Sequence, residues 1–168
     1  MKKGAVIVLL LLAVFSAGVF AASIAGHNLT SDGNYLGDRG LGIGIQLGDN
    51  TALVLKDWVS RDNALQYDLG FNVYGKYLGL GVAYLIHNFD IIKVEDNKFP
   101  LYFGIKGFAA LSGNSLYAGV EVPLGIDWIF KRAPIDIFLE VDPGLQVIGP
   151  NGMVMAWGDG LGIRYWFN

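Results

Sequence analysis

Leu116-Tyr-Ala-Gly-Val-Glu-Val-Pro-Leu-Gly-Ile-Asp-Trp-Ile-Phe130 changes polarity at almost every step. Leu116, Ala118, Val120, Val122, Leu124, Ile126, Trp128 and Phe130 share one phase of a period-two pattern. Tyr117, Gly119, Glu121, Pro123, Gly125 and Asp127 share the other. Successive side chains of an extended chain point to opposite faces, so this stretch reads as a long strand with one apolar face. A helix would bring apolar residues three and four apart instead.

The same alternation recurs on both sides of it, and nowhere does the chain show a convincing amphipathic helix. Strands are expected over 40–48, 51–59, 64–74, 77–87, 99–109, 116–130, 135–148 and 155–167. In the first, Leu41, Ile43, Ile45 and Leu47 oppose Gly42, Gly44, Gln46 and Gly48. In the last, Trp157, Leu161, Ile163, Tyr165 and Phe167 oppose Gly158, Gly160, Gly162, Arg164 and Trp166. Turn-forming residues separate the strands at Asp49-Asn50, at 60–63, at Gly75-Lys76 (a two-residue hairpin), at Gly113-Asn114, at 131–134 and at 149–152. The expected fold is all-β, an eight-stranded antiparallel up-and-down transmembrane β-barrel over residues 40–168.

Alternation alone is equally compatible with a soluble sandwich. The choice of face rests on what stands opposite the apolar residues, which is mainly glycine with sparse charges rather than a solvated surface of Lys, Glu, Ser and Thr. A glycine-rich face suits the crowded interior of a small barrel, whose bore is just wide enough for side chains to fill. On that reading Lys56, Lys106 and Arg164 point inward and form an ion-pair plug with Asp68, Glu121 and Glu140. The excess acid of Asp127, Asp136 and Asp142 would make any transient water path cation-selective. A rigid interior that conducts nothing is the simpler expectation. Tyr67, Tyr84, Phe103, Trp128, Phe130, Tyr165 and Phe167 fall on the apolar face toward one rim, as an interfacial aromatic girdle does. Asp57 and Asp159 share that face near strand ends, where a charge costs about 0–1 kcal/mol.

Lys2 and Lys3, the apolar run 5–15 and the small residues Ala17, Gly18, Val19 and Ala21 read as a secretory signal peptide over 1–21. Residues 22–39 form an N-terminal segment without a clear period. The chain has 168 residues, no Cys and a formal charge of −3, which excludes disulfide scaffolds, thiolate metal sites and a nucleic-acid footprint. His27 and His87 are its two histidines. None of Ser31, Ser60, Ser112 and Ser115 lies in a G-x-S-x-G elbow, so no catalytic residues are assigned and the protein is not expected to be an enzyme. Gly40-x-Gly42-x-Gly44 lacks the third glycine spacing and the following helix of a dinucleotide loop, and reads as inward-facing strand glycine. No cofactor and no metal are expected.

The signal peptide, the eight alternating strands and the ending 160–167, Gly-Leu-Gly-Ile-Arg-Tyr-Trp-Phe, resemble small bacterial outer-membrane β-barrels of the OmpA/OmpX type. More narrowly, 101–107, 122–128 and 137–143 resemble an uncharacterised family of such barrels, a likeness that implies no activity. The resemblance implies export to the bacterial outer membrane, outer-membrane lipid as surroundings, a monomer, and recognition by the barrel-assembly machinery through a terminal aromatic, here Phe167 followed by Asn168. The function expected is a structural or narrow-pore role. The alternatives are a secreted soluble lipocalin-like barrel binding an apolar ligand, or a lipid-modifying barrel enzyme. Two further expectations concern irregularities: bulges at Pro123 and Pro143, and a long charged connection over 88–98 on the rim that carries the chain ends.

Overall fold

The structure, a computed structural model of the chain, describes residues 40–49, 51–72, 76–92, 94, 97–130 and 132–167. The expected signal peptide, the segment 22–39, Gly75 of the third turn and Asn168 lie outside the described residues. The strands are β1 Leu41–Gly48, β2 Thr51–Trp58, β3 Asn63–Asn72, β4 Tyr77–Asn88, β5 Asn97–Lys98, β6 Leu101–Ser112, β7 Ser115–Glu121, β8 Leu124–Phe130, β9 Ile135–Ile148 and β10 Val154–Phe167. Every pairing is antiparallel. β1 to β4 follow one another, β6 pairs with β4, β7 and β8 lie end to end between β6 and β9, and β10 pairs with both β9 and β1. The sheet therefore closes into a ring of eight strands, with β7 and β8 together forming one of them. The two-residue β5 is added at one rim, on Ile129 and Phe130.

Closure gives each of the eight strands of the ring partners on both sides over most of its length. One rim carries the start of β1 and the end of β10, where Leu41 pairs with Phe167. The connection between β4 and β6 shares that rim. At the far rim the β9–β10 hairpin runs past the end of β1: Val154 to Asp159 pair with β9 alone, and Met155 and Trp157 stand exposed. In the turn before β4, Lys76 adopts a positive φ of 48°.

The bulges expected at Pro123 and Pro143 are not there. Pairing with β6 keeps one register from Lys106↔Glu121 to Phe103↔Leu124, and pairing with β9 keeps one from Glu121↔Gly144 to Leu124↔Val141. β9 also passes Pro143 without a shift against β10. The reason lies in the antiparallel ladder, where hydrogen-bonded pairs exchange two bonds. Gly104 N–H donates to Pro123 O at 3.0 Å and Val122 N–H donates to Pro143 O at 2.8 Å, so each proline keeps the bond it accepts and forfeits the one it cannot donate. Two half-made pairs side by side interrupt the ladder between β7 and β8 without moving the register. The irregularity that does occur is at Ala118/Gly119 against β9.

The usual distribution of polarity is inverted. Ile105, Leu161, Leu47 and Ile45 on the outer face are 62%, 56%, 59% and 47% exposed, while Lys56, Arg164, Asp127, Asp136 and Glu140 inside are fully buried. Interior packing is made possible by glycine, because several of the large interior groups have a glycine as a cross-strand partner. Gly42 faces Lys56 and Trp166, Gly44 faces Arg164, Gly125 faces Tyr102 and Glu140, and Gly162 faces Phe138. A Cβ on Gly42 would stand 3.0 Å from the Trp166 indole, and one on Gly162 would run into the Phe138 ring.

Candidate functional site

The charged interior divides in two along its length. Toward the chain-end rim, β10 presents Arg164 directly opposite Asp136 of β9, and the pair is completed across the ring. Arg164 Nε donates to Asp136 Oδ1 at 3.0 Å, Nη2 donates to Asp127 Oδ1 at 2.5 Å, and Nη1 donates to Gln66 Oε1 at 3.0 Å. The face of its guanidinium lies 4.0 Å from the Phe138 ring centroid. Lys56 Nζ donates to the other Asp127 oxygen at 2.7 Å and sits 4.8 Å from the Tyr102 ring and 5.1 Å from that of Trp58. Trp166 Nε1 donates to Asp136 Oδ2 at 2.9 Å, and Tyr102 OH donates to Glu140 Oε2 at 2.8 Å. Two cations thus meet Asp127 and Asp136, and aromatic or amide donors occupy the remaining oxygens.

Below this network the chain-end rim is closed by rings. Trp58, Ala64, Ile129 and Trp166 form a buried cluster on which Phe89 packs. Trp58 and His87 have centroids 4.4 Å apart, and His87 and Tyr102 5.0 Å. Asp62 holds His87 by its carbonyl, which lies 3.2 Å from Nδ1 and accepts the backbone N–H at 2.7 Å. His87 Nε2 is 3.4 Å from Asp127 Oδ2 but makes no hydrogen bond there. Desolvated charges in such a place must be paired, because an isolated buried ion costs several kcal/mol.

Toward the far rim the interior opens into a cavity of about 390 Å³. Lys106 of β6 projects from its floor, opposite Glu121 in the register. Its Nζ is bonded to Asp142 and lies 3.2 Å from Glu121, 3.8 Å from Asp68 and 3.9 Å from Glu140. One cation therefore faces four carboxylates. Asp68 Oδ1 and Asp142 Oδ1 are buried without a hydrogen-bond partner. The half-buried rings of Tyr77, Phe108 and Tyr117 complete the wall.

Of the six residues expected to form one plug, Lys106, Asp68, Glu121 and Glu140 come together. Lys56 and Arg164 are held instead by Asp127 and Asp136, which had been read as surplus acid. The correction has a steric cause: Asp136 is the cross-strand partner of Arg164, and Asp127 lies within reach of both cations across the narrow bore. Trp58, Trp166 and Tyr102 stand on the same phase of their strands as Lys56, Arg164 and Lys106, which places them inward; that they and His87 cap the network is not visible in the sequence.

On the outer face, Tyr84, Phe103, Trp128, Tyr165 and Phe167 are exposed and Phe130 is half-buried. Trp128 stacks on Phe130 at 4.7 Å and on Phe99 at 5.5 Å, and Tyr165 meets Phe167 edge-on at 5.0 Å. Tyr67 departs from this set: it is 6% exposed, enclosed in the wall between its cross-strand partners Leu55 and Val82. Asp57 lies at the end of β2. Asp159 lies where the β1–β10 ladder stops and accepts the Asp49 N–H at 3.1 Å. Among the described residues no group of three or more side chains is placed to hold a metal ion. Comparison of the chain with protein-family profiles, with curated proteins and with solved structures gives no match.

Proposed function

We propose that this chain is an integral outer-membrane protein, an eight-stranded transmembrane β-barrel that forms a closed structural element of the membrane rather than an open pore. The observation that carries this reading is the inversion of polarity: fully buried charges inside, and leucine, isoleucine, valine and aromatic side chains exposed around the outside. A contiguous apolar surface of that extent is unfavourable in water and suited to hydrocarbon. Strand length supports it over most of the ring: β3 has 10 residues, β4 and β6 have 12 and β9 and β10 have 14, against about 9–11 for a tilted strand crossing a bilayer, while β1 and β2 have 8. The exposed aromatic residues toward the chain-end rim correspond to an interfacial girdle. A soluble lipocalin-like carrier would need these same faces reversed, with leucines lining the ligand cavity.

The structural role follows from the interior. Arg164, Lys56, Asp127 and Asp136 are fully buried in one paired cross-section capped by Trp58 and Trp166, which supports a closed interior in that half. Cell fractionation followed by SDS gels of unboiled and boiled samples tests the membrane assignment. The expected result is recovery in the outer-membrane fraction, with a band that resists SDS when cold and migrates differently after boiling. Recovery in the soluble periplasmic fraction with no heat-dependent shift would reject it.

A further inference from the structure

The far half of the interior is built differently from a space-filling core. It is an open cavity of about 390 Å³, within the range of about 300–1,000 Å³ usual for small-molecule sites. Asp142 is 2% exposed. It spends one oxygen on Lys106 and leaves the other without a partner, as does Asp68 beside it. Buried acceptors in a folded protein are normally satisfied, so two unpartnered carboxylate oxygens at one cavity point to a missing donor. Charge gives the sign of that donor, because Lys106 is outnumbered four to one by the carboxylates around it. The wall gives its chemical class. Tyr77, Phe108 and Tyr117 line it with aromatic rings, a lining that favours organic ammonium groups, whereas among the described residues no cluster is arranged to ligate a metal ion.

From these observations we infer that the cavity is a binding site for a small organic amine. One ammonium group takes the free oxygens of Asp68 and Asp142, and the alkyl chain lies against the rings of Tyr77, Phe108 and Tyr117. Lys106 is the intramolecular precedent: a primary ammonium on an alkyl stem is what these carboxylates already hold. A diamine suits the site better than a monoamine, since Glu121 stands nearer the mouth and is less buried than Asp142. The inference does not rest on the membrane reading, because Lys106 and the carboxylates around it point into the ring whatever surrounds its outer face.

The test is calorimetric titration of the full chain in non-ionic detergent micelles with 1,4-diaminobutane at low ionic strength, with sodium chloride and calcium chloride at matched ionic strength as references. Saturable one-to-one binding of the diamine is expected, with no saturable heat from either salt. Asp142→Asn should weaken it by at least about tenfold, the equivalent of about 1.4 kcal/mol. Tyr117→Leu keeps every carboxylate and should weaken the diamine several-fold, which a merely electrostatic sink would not do. If Asp142→Asn does not fold, as judged by loss of the heat-dependent gel shift, Tyr117→Leu decides. A diamine heat equal to that of sodium chloride, equal or tighter binding of calcium, or unchanged affinity in Tyr117→Leu would each overturn the inference.

Discussion

The two halves of the interior are lined by the same residue types and reach opposite solutions. In the chain-end half, Lys56 and Arg164 meet Asp127 and Asp136 at 2.5–3.0 Å, every one of them fully buried, with Trp166 donating to Asp136 and the Gln66 amide oxygen accepting from Arg164. In the far half, Lys106 alone serves four carboxylates, two oxygens go unpartnered and a cavity remains. The difference teaches where the interior leaves room for a further partner. Charges packed with no space between them must be closely matched, whereas carboxylates beside a cavity can outnumber the cations built into the wall. Aromatic bulk bounds the sealed half: Phe138 lies against the Arg164 guanidinium and Tyr102 against Lys56, each beside a glycine that makes room for it.

The comparison breaks most readily at Arg164. Arg164→Ala leaves Asp127 and Asp136 sharing Lys56, and loss of one partner from a buried network costs about 3–5 kcal/mol. Urea unfolding followed by the heat-dependent gel shift measures this. Planar-bilayer recording of the same variant checks the seal. The wild-type chain should show no steps, and the variant should show discrete openings; unchanged conductance would mean that Arg164 holds the fold but not the closure.

A smaller effect is expected where glycine makes room for the boundary. Gly162→Leu places a side chain against the Phe138 ring and should destabilise by about 1–3 kcal/mol, as overpacking of a filled core does. Gly107→Ala is its control, since that position points outward and a Cβ there meets nothing within 4 Å. Equal losses in the two variants would refute steric fit as the reason for interior glycine.

The smallest effect belongs to the far half. Glu121→Gln removes one of four carboxylates from Lys106 and should change stability by less than about 1 kcal/mol, in the range of partly solvated ion pairs. A loss comparable to that in Arg164→Ala would erase the distinction between the halves.

Much of this arrangement is legible in the residues themselves. The phase that puts Leu161 and Ile163 outside also puts Gly162 and Arg164 inside, and it does so from local backbone geometry alone. The same logic located Lys56, Lys106 and six inward carboxylates. It failed on who pairs with whom: Arg164 and Asp127 are 37 residues apart on strands that are not neighbours, and they meet through the interior. It also failed at Pro123 and Pro143, where a bulge was expected because a missing donor was read as a broken register. The ladder instead lets each proline keep the bond it accepts. Tyr67 shares its phase with the exposed Leu69 and Phe71 yet is enclosed, which depends on the neighbours the wall brings to its flanks.

What the sequence determined by itself is the strand count, the antiparallel succession and the side of the sheet on which each residue stands, because a period of two is a property of adjacent dihedral angles. What only the tertiary structure decided is the pairing of charges, the cap of Trp58 and Trp166 and the cavity above Lys106. Those depend on how far each strand slides against the next when the sheet closes. That stagger sets which residues share a level of the ring, and no single strand carries it.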